Sequence, residues 1–455
     1  MSEKSQFASK IGLIAATVGS AVGLGNVWRF PAETQSNGGA AFLLLYIICV
    51  FVLGIPVMLA EFSLGRASRS DAIGAFKVLS PGKPWWCVGA LAVLASFLIL
   101  CYYMVVAGWT LEYLVESIGT GLYSHLDEAG GSSLHGAFAA KMQEYIATDI
   151  KPLMFTYAMI AINIVVLLGG VSKGIERLSN ILMPVLFVIL VLLCGVCLSL
   201  PGASAGVSYF LEPDFSKITP GVIVNALGQA FFSLSLGMGI LITYASYYPS
   251  HTPLTRTSVI VSLLSLLVAV LMGLIIFPAV TAFGLDKEPL QGATLVFVTL
   301  PEVFANLPWP RLWSSLFFLL LFVAALTSTV SIAEVSVAML QDRLRFSRRK
   351  AVLCVMLPLF ALSALCSLSF GSLSDFKPAG MTIFDLLDTF TTDILLPVVS
   401  IGVCVYVGWF AKNKLLSEQL SNAGTLKARH TAVIMNIIRY VAPALIALVL
   451  IYNYL

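Results

Sequence analysis

Two stretches of this sequence set small polar residues beside glycines in the middle of apolar runs. The first reads Gly19-Ser-Ala-Val-Gly23-Leu-Gly25-Asn26, and the second reads Phe231-Phe232-Ser233-Leu-Ser235-Leu-Gly237-Met238-Gly239. Glycine costs roughly 1 kcal/mol against alanine inside a helix, so each cluster predicts a break. A helix broken in lipid leaves carbonyls and N–H groups that need partners. Carbonyls suit a cation, and the N–H groups opening the next half-helix suit a carboxylate. This is binding chemistry for a cation and a carboxylate rather than catalysis. Close helix packing is the competing reading, because Gly19 and Gly23 also form a GxxxG pair. Asn26, Ser233 and Ser235 weigh against it, since polar groups at membrane depth are costly without a role. Neither cluster completes a nucleotide-binding GxGxxG, and no βαβ pattern surrounds them.

Other reaction chemistries find little support. All four histidines fall in loops, no HExxH occurs, and Cys194 and Cys197 sit inside an uninterrupted apolar stretch as small core residues. An intramembrane enzyme is therefore disfavoured.

The elements that must position these residues are membrane helices. Of 455 residues, 59% are apolar and only 11% charged, against about 25% charged in a typical soluble domain. A net charge of +3 is too small to suggest nucleic acid. Eleven apolar segments run roughly 11–35, 40–66, 86–118, 152–170, 178–200, 219–248, 256–284, 311–341, 350–370, 382–411 and 431–453. They do not alternate as barrel strands do. Most Lys and Arg fall in the loops on the N-terminal side, including Arg343, Arg345, Arg348, Arg349 and Lys350. The positive-inside rule then sets the N-terminus in the cytoplasm and the C-terminus outside. No cleavable signal sequence and no Asn-x-Ser/Thr sequon is present, which points to a bacterial inner membrane. The outer loop 285–310 carries Leu295, Val296, Phe297 and Val298, the composition of a lid that dips toward the protein. The two breaks occupy corresponding places in two five-span halves, about 11–200 and 219–411, with 431–453 as an additional helix. Such symmetry points to an inverted-repeat transporter with a midplane site, in one domain spanning 1–455.

The residues Gly19–Pro31 (GSAVGLGNVWRFP), followed by Asn37-Gly38-Gly39, resemble the first-helix signature of the neurotransmitter:sodium symporter family. Gln229–Gly239 resembles its sixth helix, Ala325–Ser328 its eighth, and Glu61 with Gly65-Arg66 the end of its second. The likeness covers nearly the whole chain. It implies an all-α membrane protein with eleven transmembrane helices in a LeuT-type 5+5 inverted repeat, helices 1 and 6 being discontinuous. It also implies sodium-coupled uptake of an amino acid by alternating access.

Residue roles follow from the same resemblance. The first sodium would be held by the Ala21 carbonyl, Asn26, Ser233 and the substrate carboxylate. The second would be held by the carbonyls of Gly19, Val22 and Ala324 and the hydroxyls of Thr327 and Ser328. Back-bonding of those hydroxyls to their own helix is the bland alternative. The substrate carboxylate would meet the N–H groups near Leu24 and Gly25 and the Tyr103 hydroxyl. Its ammonium would meet the carbonyls of Ala21, Phe232 and Ser235. Ile99, Phe232, Met238 and Ile332 would line the side-chain pocket, with Tyr103 and Phe232 as an outer lid. Monoamine members carry an acidic residue where Gly23 stands here, so an α-amino acid with an apolar or aromatic side chain is expected.

Arg29 and Asp388 match the outer gate pair, and Lys4 and Asp342 the inner pair, where the usual cation is Arg. Phe7 stands where a Trp is common. Glu61 and Glu334 are expected to face each other near the inner half. In the seventh span Ser265 and Ala269 stand where chloride-independent members commonly place a carboxylate. Tyr46, Gln229, Ser233 and Ser265 can instead surround an anion, which predicts chloride dependence or else a weakened first sodium site. The other readings are a proton-coupled transporter and a non-transporting amino acid sensor on the same fold.

Overall fold

The computed structural model describes residues 6–119, 121–124, 134–285, 292–412, 414–427 and 430–452. Its elements are helices, with no strand among the described residues. In chain order the principal ones are α1 (Lys10–Ala21), α2 (Gly25–Ser36), α3 (Ala40–Ser68), α4 (Trp86–Ile118), α5 (Leu134–Ala147), α6 (Ile150–Leu168) and α7 (Val171–Leu198). There follow α8 (Pro220–Ser233), α9 (Ile240–Ser246), α10 (Leu254–Ala282), α11 (Gly292–Ala305), α12 (Pro310–Leu344), α13 (Arg348–Leu368), α14 (Ile383–Phe410) and α15 (Thr431–Tyr452).

Among the described residues nine of these helices are each long and apolar enough to cross a membrane. α1 and α2 make one further span bent by 56°. The expected sixth span is divided into α8 and α9, each too short to cross alone. Among the described residues the spans therefore number nine unbroken helices and one bent pair, and the sixth expected segment appears as the two short helices α8 and α9.

Local chemistry explains where the interrupted helices begin and end. Ser9 opens α1 by accepting the Gly12 N–H at 2.9 Å. The helix stops at Val22, whose backbone is extended. Thr219 caps α8, and Pro220 fills its first turn, where a missing N–H does no harm. α8 ends at Ser233 because Ser235, Gly237 and Gly239 all have positive φ, at 54°, 77° and 71°.

α12 and α4 are the most buried spans and form the centre, while α15 lies at the edge. α6 and α7 turn residues such as Val165, Val188 and Val191 outward, a surface that only lipid would solvate well. Several shorter helices lie outside the spans, α5 and α11 among them. α5 sits between α4 and α6. α11 buries Leu295, Val296, Phe297 and Val298, as expected of a lid. The Phe297 ring meets Trp28, Trp109, Tyr113 and Phe318.

At the expected inner end the chain before α1 is tied down. Phe7 packs on Tyr244, Tyr247 and Tyr248 with centroids 5.7, 6.3 and 6.1 Å away. The Ala8 and Ser9 N–H groups and the Ser9 hydroxyl all donate to the Glu176 carboxylate at 2.7–2.9 Å. α3 and α9 meet backbone to backbone, and a Cβ added at Gly65 would lie 2.0 Å from the Ile242 carbonyl oxygen.

Candidate ion and substrate site at the two helix breaks

The residues flanking the breaks converge, although they come from five helices. Around the first break, the Asn26 amide donates to the Ala21 carbonyl at 3.2 Å and to the Ser265 hydroxyl at 2.9 Å. Ser265, on α10, donates to the Ser233 carbonyl at 3.2 Å. Tyr46, on α3, donates to the Ser233 hydroxyl at 2.9 Å. Gln229, on α8, donates to the Gly25 carbonyl at 3.1 Å. The expected first-sodium residues and the expected chloride residues therefore form one buried network.

Two oxygens in that network stand out. Asn26 Oδ1 and Gln229 Oε1 are buried and have no partner among the described residues. An orphaned buried acceptor costs about 1–3 kcal/mol unless something donates to it or coordinates it. Asn26 is fully buried, and the atoms gathered around it are hard oxygens, the donor type an alkali cation takes.

The expected second set also comes together. The Ser328 hydroxyl lies 3.4 Å from both the Gly19 and the Val22 carbonyl oxygens. Thr327 follows the bland alternative and donates back to Val323 at 3.0 Å and Ala324 at 3.2 Å. It still sits at the site, since a Cβ on Gly19 would lie 3.2 Å from the Thr327 Cβ. Gly19, Val22, Ala324, Thr327 and Ser328 thus share one locality between α1 and α12.

Between these two sets the Leu24 N–H donates to the Tyr103 hydroxyl at 3.0 Å. Gly23 leaves no space for a side chain, because a Cβ there would lie 2.7 Å from Ser328 Oγ and 2.9 Å from Tyr103 Oη. Phe232 covers the break from the other side, its Cε1 2.5 Å from where a Gly25 Cβ would stand. Ile99, Met238 and Ile332 are buried. Ser235 donates its hydroxyl to the Ser20 carbonyl at 2.7 Å.

Of the expected gates, the outer pair stands apart in this structure. Arg29 is not within ion-pair distance of Asp388. Its guanidinium lies 3.7 Å from Glu33, one helical turn on, and over the Phe232 ring at 4.9 Å. The Asp388 backbone carbonyl accepts from the Thr391 and Thr392 hydroxyls at 3.1 and 2.9 Å. The i,i+4 geometry of α2 makes Glu33 the nearer carboxylate. Asp342 accepts the Asp71 N–H at 2.8 Å. Lys4 lies outside the described residues.

Glu61 and Glu334 are not partners either. Glu334 is held in a fork by Arg348 at 2.7 and 2.8 Å and by the Tyr247 hydroxyl at 2.8 Å. A guanidinium satisfies two carboxylate oxygens at once, which a second carboxylate cannot do. Glu61 Oε1 accepts the Gly237 N–H at 2.8 Å, and Oε2 has no partner among the described residues.

Sequence reasoning missed three participants. Arg348 counts there only among the inner-side cations, and Glu176 and Ser20 are given no role. A serine inside a helix-ending Gly-rich run was the available signal for Ser20. Nothing local marks Glu176 or Arg348, whose partners lie on other helices.

Comparison with known proteins agrees with this geometry. The model of the sodium:neurotransmitter symporter family matches residues 4–126 and 141–455. YhdH, a sodium-dependent transporter of Bacillus subtilis, is 39% identical over 422 residues, covering 92% of this chain and 91% of its own. A sodium-dependent transporter of Methanocaldococcus jannaschii is 34% identical over 435 residues, covering 93% and 86%. The crystal structure of MhsT in complex with L-phenylalanine superposes with a TM-score of 0.88 at 40% identity, covering 98% of this chain and 99% of that one. These matches extend over nearly the full length and include the broken helices, and the chain belongs to the sodium:neurotransmitter symporter family.

Proposed function

We propose that this multi-pass membrane protein imports a neutral α-amino acid with an apolar or aromatic side chain, driven by sodium, through alternating access. Sodium-coupled transport rests on the family. The substrate class is our reading, and the observation that carries it is the space at Gly23. With Ser328 Oγ and Tyr103 Oη both under 3 Å from a Cβ there, no side-chain carboxylate fits to meet an amine. The substrate must bring its own carboxylate, and the Leu24 N–H and Tyr103 hydroxyl are positioned to receive it. The 40%-identical MhsT, crystallised with L-phenylalanine, supports the aromatic end of the range.

In this reading Ala21, Asn26 and Ser233 hold one sodium beside the substrate carboxylate. Gly19, Val22, Ala324, Thr327 and Ser328 hold the second. A sodium ion bound there neutralises the carbonyl dipoles that the breaks expose and the charge of the substrate carboxylate. Ala21, Phe232 and Ser235 carbonyls take the ammonium, and Ile99, Phe232, Met238 and Ile332 contact the side chain. Tyr46, Gln229, Ser233 and Ser265 form an anion site, with no carboxylate from α10 to replace the anion. The N-terminus lies in the cytoplasm and the C-terminus outside a bacterial inner membrane.

The energetics are adequate. A zwitterion carries no net charge, so each sodium contributes about 2.3 kcal/mol per 100 mV and about 1.4 kcal/mol per tenfold gradient. The test is competition by the twenty amino acids for sodium-dependent binding to purified protein. Apolar and aromatic amino acids should compete and their decarboxylated amines should not. Preferential binding of an amine refutes the reading.

A further inference from the structure

The end of α1 presents four successive carbonyls that the helix itself does not satisfy. Val18 O takes the Val22 N–H at 2.7 Å, and beyond it the ladder stops. Gly19 O and Val22 O lie against the Ser328 hydroxyl, and Ala21 O takes the Asn26 amide. These three carbonyls belong to the two proposed sodium sets. The fourth, Ser20 O, belongs to neither. It takes the Ser235 hydroxyl at 2.7 Å, the shortest of these contacts.

Ser235 is an unusual residue for that task. Its φ of 54° is a left-handed conformation that a residue with a Cβ adopts only at a cost, and it sits among glycines that would adopt it freely. It is also 5% exposed. Strain of this kind persists where the surroundings over-determine it. Here they do: the Ser235 N–H donates to the Phe232 carbonyl at 3.1 Å, and two residues on the Gly237 N–H is held by Glu61 at 2.8 Å. The hydroxyl is thereby aimed across the gap between the two unwound segments.

We infer that Ser235 is a positioning residue whose hydroxyl joins the two helix breaks. By taking Ser20 O it turns that one carbonyl away from the cations. It fixes the peptide planes on either side, so that Gly19 O points to one sodium set and Ala21 O to the other. Its own backbone carbonyl faces the proposed ammonium subsite. Occupancy of the substrate site and order at both sodium sets are therefore linked through one side chain. This inference rests on the sodium and substrate assignments proposed above.

The test uses the purified full chain and two variants, Ser235→Ala and Ser235→Gly. Sodium is titrated against thermal stability and against L-phenylalanine binding. Both variants lose the hydroxyl, whereas only Gly relieves the backbone strain. Both should need about tenfold more sodium for half-saturation, the value of one well-made buried hydrogen bond. Binding that stays weakened at saturating sodium assigns the hydroxyl to the substrate subsite alone and overturns its role toward sodium. Should the alanine variant fail to fold, the unstrained glycine variant carries the test. Half-saturating sodium equal to that of the unaltered chain in the folded variants overturns the role of Ser235. So does a change in melting temperature that tracks strain alone, with glycine above alanine and no shift in sodium dependence. An unaltered chain that ignores sodium overturns the sodium assignment itself, and this linkage with it.

Discussion

At the scale of single residues, the account turns on which buried polar atoms are satisfied. Asn26 was legible in the sequence because an amide beside three glycines in an apolar run has no other evident purpose. Its role as the hub between Ala21, Ser265 and an orphaned Oδ1 was not, because Ser265 is 239 positions away. Asn26→Ala removes the orphaned oxygen and should raise half-saturating sodium for L-phenylalanine binding about 10–100-fold, as measured by sodium titration. An unchanged titration sets Asn26 outside the site. Glu334 gives a different prediction. Its fork with Arg348 lies where desolvation is costly, so Arg348→Ala strands a buried carboxylate and should cost about 3–5 kcal/mol. Thermal unfolding should show a large loss for that variant. Most of the loss should return in Glu334→Leu/Arg348→Met, where neither charge remains. The outer gate pair read from sequence is not joined in this structure, since a charge at a span end says nothing about which neighbour is nearest. Arg29 chose Glu33 and the Phe232 ring over Asp388.

At the scale of elements, hydrophobic length and the two glycine clusters carried most of the fold. The segment 86–118 expected as a helix coincides with α4, and the other unbroken spans differ by a few residues at their ends, except α7, which begins at Val171 rather than 178. The breaks came where Gly and Ser interrupt the pattern, because positive φ at Gly237 and Gly239 is incompatible with a continuing helix. What the sequence could not show is which helices approach closely. Gly65 looked like one more residue of a span-end motif, yet it is where α3 meets the backbone of α9. Gly65→Ala would drive a methyl into the Ile242 carbonyl and should lower the melting temperature sharply. Gly195→Ala, in α7 with nothing within 4 Å of the added Cβ, should instead be neutral or stabilising by up to about 1 kcal/mol. Equal effects of the two would mean that the α3–α9 approach is not a tight one.

At the scale of the whole molecule, the two ends of the site differ. Toward the expected cytoplasmic side, Phe7 is boxed by three tyrosines, Glu176 holds the chain before α1, and Arg348 locks Glu334. Toward the other side Arg29 and Asp388 are not joined, and Phe232 covers the break. In the orientation proposed above, the inner end is closed and the outer charges are parted, the arrangement in which an importer takes cargo from outside. The proposed anion site makes a prediction at this scale too, since charge balance across the proposed sodium and substrate sites is a property of the assembled centre. Replacing chloride with gluconate should reduce sodium-dependent uptake severalfold, and Ser265→Asp should remove that dependence. Uptake indifferent to chloride in the unaltered chain would leave Tyr46, Gln229, Ser233 and Ser265 as a structural network only. The central claim is sodium-driven amino acid import, and it is tested most directly by uptake of radiolabelled L-phenylalanine into proteoliposomes. An inward sodium gradient should drive accumulation above the external concentration, and uptake should collapse when sodium is equal on both sides with no membrane potential. Accumulation that persists without sodium and follows a proton gradient instead would contradict the account.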